Sequence, residues 1–204
     1  SYAEYLTRIT GIPVYAGYGL VTHFFNQSNG QVPDQAAAIL TIPDYIALRL
    51  TGEKQINMDA SMAASLGCWE IDNGRFTPTV CQDAGLTLTS LPDSAGNSGK
   101  KLAGMWKNIP VSAAIGDNQA SFLAAVDGVG DGICVNVGTG SQVSVMSSDY
   151  IAADGIEIRP FLDRGYLYVG ASLNGGKVYE LLAEFYREIC HYFTGTQPDS
   201  ADIM

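Results

Sequence analysis

Ile115-Gly116-Asp117-Asn118-Gln119-Ala120 sets a carboxylate at the point where an apolar run gives way to a stretch rich in small residues. The run, Val111 to Ile115, predicts a buried strand, and Asn118 to Val126 predicts a helix. Gly138-Thr139-Gly140-Ser141, beginning 21 positions after Asp117, reads as a tight turn between two β-like runs, Ile133 to Val137 and Gln142 to Met146. Glycines in such a turn let backbone N–H groups come close to an anion. A carboxylate at a strand end and a turn offering N–H groups are two of the parts that phosphoryl transfer needs. Taken singly, each has a plainer reading: Asp117 as a helix N-cap, and Gly138 to Gly140 as an ordinary hairpin turn.

The bulk composition narrows the field around these pieces. With 204 residues, 47% hydrophobic and 16% charged, the chain is globular and long enough for one large domain or two small ones. Lys and Arg number 11 against 21 Asp and Glu, a net charge of −10. That balance argues against nucleic acid as a partner, because such binding neutralises phosphates with basic groups. It leaves room for a nucleotide held by backbone amides and Mg²⁺. No apolar run reaches the roughly 18 residues that cross a bilayer, so a membrane is not an expected partner. Cys68, Cys81, Cys134 and Cys190 are scattered without a CxxC pair, which fits reduced thiols in a cytoplasmic protein. His23 and His191 lack ligand spacing, and no metal site is expected from side chains alone.

Along the chain, the first half reads as mostly helical: Tyr2 to Thr10, Gly19 to Gln27, Asp34 to Leu40 paired with Pro43 to Leu50, Asp59 to Ser65, and Phe76 to Ala84. Asp59 or Ser61 can cap its helix. Trp69 to Ile71 reads as extended, with a turn at Asp72-Asn73-Gly74. Trp69 and Trp106 are expected to pack rather than to stack on a ligand. Asp93 to Lys101 reads as a surface loop, and Asp127 to Gly132, with three glycines in six residues, as a linker. Beyond it come period-two strands, the last being Tyr166 to Gly170, and a helix from Gly176 to about Tyr192 with Val178, Leu181, Leu182 and Phe185 on one face. The chain opens amid helical sequence and stops after one helix of its second part, so both domains are expected to be incomplete.

Several pieces, in order, resemble the FGGY carbohydrate kinases of the actin-like, ribonuclease-H-like superfamily. They are Thr10-Gly11-Ile12-Pro13; Ile42-Pro43-Asp44-Tyr45-Ile46 running to Leu50-Thr51-Gly52-Glu53; Asp59-Ala60-Ser61-Met62-Ala63-Ala64-Ser65; Gly116 to Ala120; and Asn136-Val137-Gly138-Thr139-Gly140. Gly170-Ala171-Ser172-Leu173-Asn174-Gly175-Gly176 most resembles the sedoheptulokinase branch.

The resemblance implies an α/β fold in which two actin-like domains are both partly represented. Residues 1–128 would be the later part of the sugar-binding N-terminal domain, and 129–204 the start of the nucleotide-binding C-terminal domain. The hinge would lie near Gly128 to Gly132. It also implies ATP-dependent phosphorylation of a ketose or polyol hydroxyl, with ATP and Mg²⁺ as cofactors and a small-molecule sugar as partner, and it allows a homodimer. Asp117 would be the catalytic base, Asn118 and Tyr18 sugar contacts, and Gly138, Thr139, Gly140, Gly170 and Asn174 the ATP-binding residues. The family's Asp-x-Gly-Thr phosphate hairpin does not occur in these 204 residues. A non-catalytic sugar- or nucleotide-binding remnant of such a kinase is therefore the alternative.

Overall fold

Capping residues fix the first helices. In α1 (Tyr2–Thr10), the Ser1 hydroxyl accepts from the Glu4 N–H while Glu4 reaches back to the N-terminus, and Gly11 ends the helix with φ 69°. Helix α2 (Gly19–Ser28) follows, and α3 (Ile42–Thr51) carries Pro43 in its first turn behind a Thr41 cap. In α4 (Ala60–Leu66) the Asp59 Oδ1 accepts from the Ser61 N–H at 2.9 Å. Strands β1 (Trp69–Glu70) and β2 (Arg75–Phe76) pair as a hairpin around the expected turn, and α5 (Pro78–Asp83) follows. The computed structural model describes residues 1–54, 58–76, 78–87, 91, 102–126, 132–162, 165–172, 174–196 and 198.

These elements close on one core. Leu6, Leu20, Met58, Leu66 and Trp69 are buried in it, Trp69 stands edge-on to Phe76 at 4.9 Å, and Tyr2 stacks on Phe24 at 3.5 Å. Two expected helices differ from this arrangement. Residues 34–40 make only a turn, with the Ala36 N–H bonded to the Pro33 carbonyl at 2.9 Å, and then run irregularly. Ile39 packs on the core just described, and Leu40 also reaches a second cluster around Ala47 and Ala103. Thr41 must itself be extended (φ −76°, ψ 161°) to cap α3. Phe76, read as the start of a helix, is instead held in β2 by its contact with Trp69, so α5 begins at Pro78.

The apolar run at 111–115 also differs from expectation. Strand β3 (Leu102–Trp106) pairs antiparallel with β4 (Ile109–Ser112), and this hairpin packs on α3 through Ala47, Ala103 and Val111. Residues 113–115 lie outside the strand, and Val111 is only half-buried, because a two-stranded hairpin resting on one helix covers a single face.

The remaining strands build one antiparallel sheet in the order β5-β6-β8-β7: β5 (Ile133–Val137), β6 (Ser141–Ser147), β7 (Glu157–Phe161) and β8 (Gly165–Ser172). Strand β7, which contains Glu157, Arg159 and Pro160, gave no sequence signal; its edge position tolerates both the charges and the proline. Helix α6 (Asp117–Ala125) packs on one face of the sheet, where Phe122 meets Phe161 edge-on at 5.5 Å beside Leu167 and Val169. The other face presents Ile133, Val135, Val137, Val143 and Val145 to solvent. Helix α7 (Gly176–Thr194) ends the described chain, with Val178, Leu181, Leu182 and Phe185 exposed. The surface loop expected at 93–101 lies outside the described residues, and so does the linker apart from Gly132. Among the described residues no helix is long and apolar enough to cross a membrane.

Candidate functional site

A cleft of about 1030 Å³ runs between the helical core and the edge of the sheet. Its walls include Tyr18, Ser61 and Trp69 on one side, Glu157 and Arg159 on the other, and Gly116 and Asp117 between them. Of the residues singled out in the sequence, the structure brings Asp117 and Tyr18 together here.

Asp117 is the first residue of α6, and Gly116, not Asp117, is the N-cap. The side chain therefore does not cap the helix in the usual way. Its Oδ1 accepts from the Asn118 N–H at 2.7 Å, while Oδ2 has no donor among the described residues. The exposed carboxylate sits in the first turn of the helix, at its N-terminal end.

Two contacts, one part-buried and one buried, fix where α6 starts. The Ser61 hydroxyl donates to Asp59 Oδ1 at 2.5 Å and accepts from the Gly116 N–H at 2.9 Å. Asp59 thus caps α4 and, through Ser61, anchors the backbone immediately before Asp117. On the next turn, Gln119 is buried and donates from Nε2 to the Pro160 carbonyl at 3.0 Å. A Cβ on Gly116 would collide with the Gln119 amide oxygen, so a side chain there would displace the amide from its present place. Of the two capping candidates in the sequence, Asp59 is the cap, and the Ser61 hydroxyl instead joins Asp59 to Gly116. Its bond to Gly116 spans 55 residues of chain and had no local signal.

Tyr18 precedes α2 and stands edge-on to Tyr15 at 5.8 Å, half-buried in the cleft wall. Burial raises its hydroxyl pKa, and Glu157 adds to the rise. Arg159 completes this group. Its guanidinium holds Glu157 in a fork, Nε to Oε1 at 2.9 Å and Nη2 to Oε2 at 2.8 Å. Glu157 raises the Arg159 pKa most, with smaller contributions from Tyr18 and Asp117. Three parts of the chain far apart in sequence therefore share one electrostatic neighbourhood.

Asn118 is not in the cleft wall. Its Oδ1 accepts from Gln142 Nε2 at 2.9 Å, and Gln142 also donates to the Ser144 hydroxyl at 2.9 Å. This bridge ties the start of α6 to β6, directly after the Gly138 to Gly140 turn. Trp69 forms part of the cleft floor but is buried, and its indole N–H has no hydrogen-bond partner among the described residues. Trp106 lies elsewhere, with the Lys107 ammonium 4.8 Å from its ring centre.

The glycine turn forms a second locus outside the cleft wall. The Gly138 N–H is held by the Gly140 carbonyl at 2.8 Å, and the Gly138 carbonyl accepts from the Gly176 N–H at 2.6 Å. The Asn174 carbonyl accepts from the Ser141 hydroxyl at 2.9 Å. A Cβ on Gly175 would lie 2.7 Å from the Gly138 carbonyl oxygen, so only glycine lets the start of α7 dock on the turn. Thr139 is exposed, and neither its N–H nor its hydroxyl is engaged by another described residue. Gly138, Thr139, Gly140 and Asn174 are thus brought together. Gly170 lies within β8 opposite Val143, nearest to Ile156.

Comparison with known proteins bears on this arrangement. Residues 1–124 match the N-terminal domain of the FGGY family of carbohydrate kinases. The chain is 30% identical over 183 residues to sedoheptulokinase of Mus musculus, a match covering 82% of this chain and 38% of that protein. The fold matches xylulose kinase from Rhodospirillum rubrum with a TM-score of 0.72 at 19% identity, over 90% of this chain and 39% of the other. It matches Plasmodium falciparum glycerol kinase with ADP at a TM-score of 0.70 and 19% identity, over 89% of this chain and 40% of that one. The chain therefore spans well under half the length of these relatives. Its mixed α/β architecture is the actin-like, ribonuclease-H-like fold of sugar kinases.

Proposed function

Because the chain belongs to the FGGY family of carbohydrate kinases, we propose that it carries the catalytic base and part of the phosphate-binding surface for transfer of the ATP γ-phosphoryl group to a ketose or polyol. The observation that supports this most is the setting of Asp117, anchored on both sides in sequence and facing a cleft with one carboxylate oxygen free.

In this reading, Asp117 Oδ2 accepts the proton of the acceptor hydroxyl as that oxygen attacks the γ-phosphorus. A phosphate ester forms, the bond to the bridging oxygen breaks, and ADP leaves. The Ser61–Gly116 and Gln119–Pro160 bonds act by positioning: they hold the carboxylate so that proton transfer needs no rearrangement of the backbone. Tyr18 offers an apolar ring for a sugar face and a hydroxyl for a hydrogen bond. Asn118 lies outside the cleft wall with its oxygen taken by Gln142, so any part it plays toward the sugar is limited to its amide N–H groups.

The Gly138 to Gly140 turn suits a phosphate, since the Thr139 N–H and hydroxyl are unengaged donors and Asn174 adjoins them. ATP supplies the phosphoryl group when bound. Mg²⁺ would travel with its phosphates; among the described residues no group of three His, Cys, Asp or Glu side chains could hold the ion alone. A cytoplasmic location accords with ATP as the donor and with four cysteines that are not joined in disulfides. Among ketoses, sedoheptulose or xylulose is favoured by the Gly170 to Gly176 resemblance. A second reading is sugar binding without transfer.

The test is ADP release across a panel of ketoses and polyols, with Asp117→Asn as the paired control. Release that depends on one sugar and falls about 10²- to 10⁴-fold in the variant is the expected result. Sugar binding with no release from the wild-type chain would favour the second reading.

A further inference from the structure

Glu157 and Arg159 enter neither the proton transfer nor the phosphate contacts, yet both line the cleft. They stand two residues apart on edge strand β7 and so share one face. That face packs on α6 further along, through Phe161, Leu167, Val169 and Phe122. The pair thus sits where the sheet meets the start of α6, and the Gln119 bond to Pro160 fixes β7 against that helix. Arg159 spends Nε and Nη2 on Glu157, and its Nη1 has no acceptor among the described residues. Its side chain is 25% exposed, against 48% for Glu157. The fork therefore presents a fixed donor edge beside a partly open carboxylate.

The charge of the wall limits what can lie against it. The ionised groups lining the cleft are Asp117, Asp154, Glu157 and Arg159, three carboxylates and one guanidinium, for a formal charge of −2. With Arg159 already neutralised, an anionic ligand would meet uncompensated negative charge in a partly desolvated site. A hydroxyl has no such difficulty, because it can donate to Glu157 and accept from Arg159 Nη1 together. Tyr15, Tyr18 and Tyr150, which also line the cleft, supply ring surface for the C–H face of a sugar.

We propose that the Glu157–Arg159 pair is the specificity element of this cleft, selecting a neutral polyhydroxylated acceptor over a sugar acid or sugar phosphate. The inference rests on the reading that the cleft takes a sugar; it does not depend on phosphoryl transfer. Glu157 is the discriminating partner. It quenches a guanidinium that would otherwise bind a carboxylate in the same bidentate fork.

The experiment is isothermal titration of the full chain with D-xylulose, xylitol and D-gluconate, without ATP, for the wild type and Glu157→Gln. The wild type should bind a neutral sugar at least about tenfold tighter than D-gluconate, and Glu157→Gln should shrink that ratio about tenfold by freeing Arg159. Should the variant not fold, the wild type still decides. Raising salt from about 20 to 200 mM should strengthen D-gluconate binding through screening and leave xylitol unchanged. A ratio that moves by less than about twofold in the variant, a wild type that prefers D-gluconate, or no sugar binding at all would overturn the proposal. ADP release with the Asp117→Asn control judges the kinase reading separately. Sugar selection without release would retain this inference and remove catalysis; release without selection would do the reverse.

Discussion

The region from α1 to α5 and the four-stranded sheet use similar apolar residues to different ends. In the first, Leu6, Leu20 and Met58 are 0% exposed, because helices with apolar stripes meet each other from several sides. In the second, Leu167 is also 0% exposed where α6 covers it, while Ile133, Val135 and Val137 on the opposite face are 63–66% exposed. The sheet thus has one buried face and one apolar face that no described element covers. Amphipathic patterning states which face of an element is apolar; burial needs a second surface to meet it. The cleft lies where the well-packed region ends and the half-covered sheet begins, so the catalytic candidate depends on both.

Stability measurements can break this comparison. Leu20→Ala should cost about 2–5 kcal/mol in urea unfolding, since it leaves a cavity in a closed core. Val135→Ala should change stability by no more than about 0.5 kcal/mol. Equal losses at the two sites would mean that the sheet face is covered in solution.

Asp59→Ala sharpens the role of the junction. Losing the α4 cap should cost about 1 kcal/mol, and Ser61 would lose the carboxylate that orients its hydroxyl toward Gly116. Sugar-dependent ADP release should then fall more steeply than stability does. A variant that melts lower yet turns over normally would confine Asp59 to a capping role.

The smallest expected effect concerns Asp44, buried in α3 with Oδ2 accepting from the Thr41 hydroxyl and Oδ1 without a partner among the described residues. Burial is the main cause raising its pKa above the ordinary Asp value. A raised folded pKa means that folding favours the protonated form. Its contribution is therefore fully present below the unfolded value of about 3.9 and is lost as pH rises through the folded value. Asp44→Asn should accordingly gain on the wild type between about pH 4 and pH 7 in chemical unfolding. A stability difference that stays flat over that range would exclude charge burial at this residue.

Much of this was legible in the sequence because the signals are local. Gly11 and Gly52, Pro43, and the Asp59 cap each act within one helical turn, and α1, α3 and α4 fall where those residues set them. The β5 and β6 runs and the turn between them follow from period-two alternation and two glycines. Strand β7 was not legible, because Glu157, Arg159 and Pro160 are poor strand formers that an edge position accepts. The helix expected at 34–40 failed for a tertiary reason, since Ile39 and Leu40 serve two different clusters.

By itself, then, the sequence determined the caps, the alternating strands, the ordered motifs that mark the family, and Asp117 as the carboxylate to examine. Only the tertiary structure decided that Ser61 holds Gly116, that Gln142 engages Asn118, and that Arg159 and Glu157 face the same cleft as Tyr18. The physical reason is range. Caps and turns are satisfied by neighbours in the chain, whereas these bonds and charges join residues separated by 24 to 55 positions or more, and exist only once packing has brought the elements together.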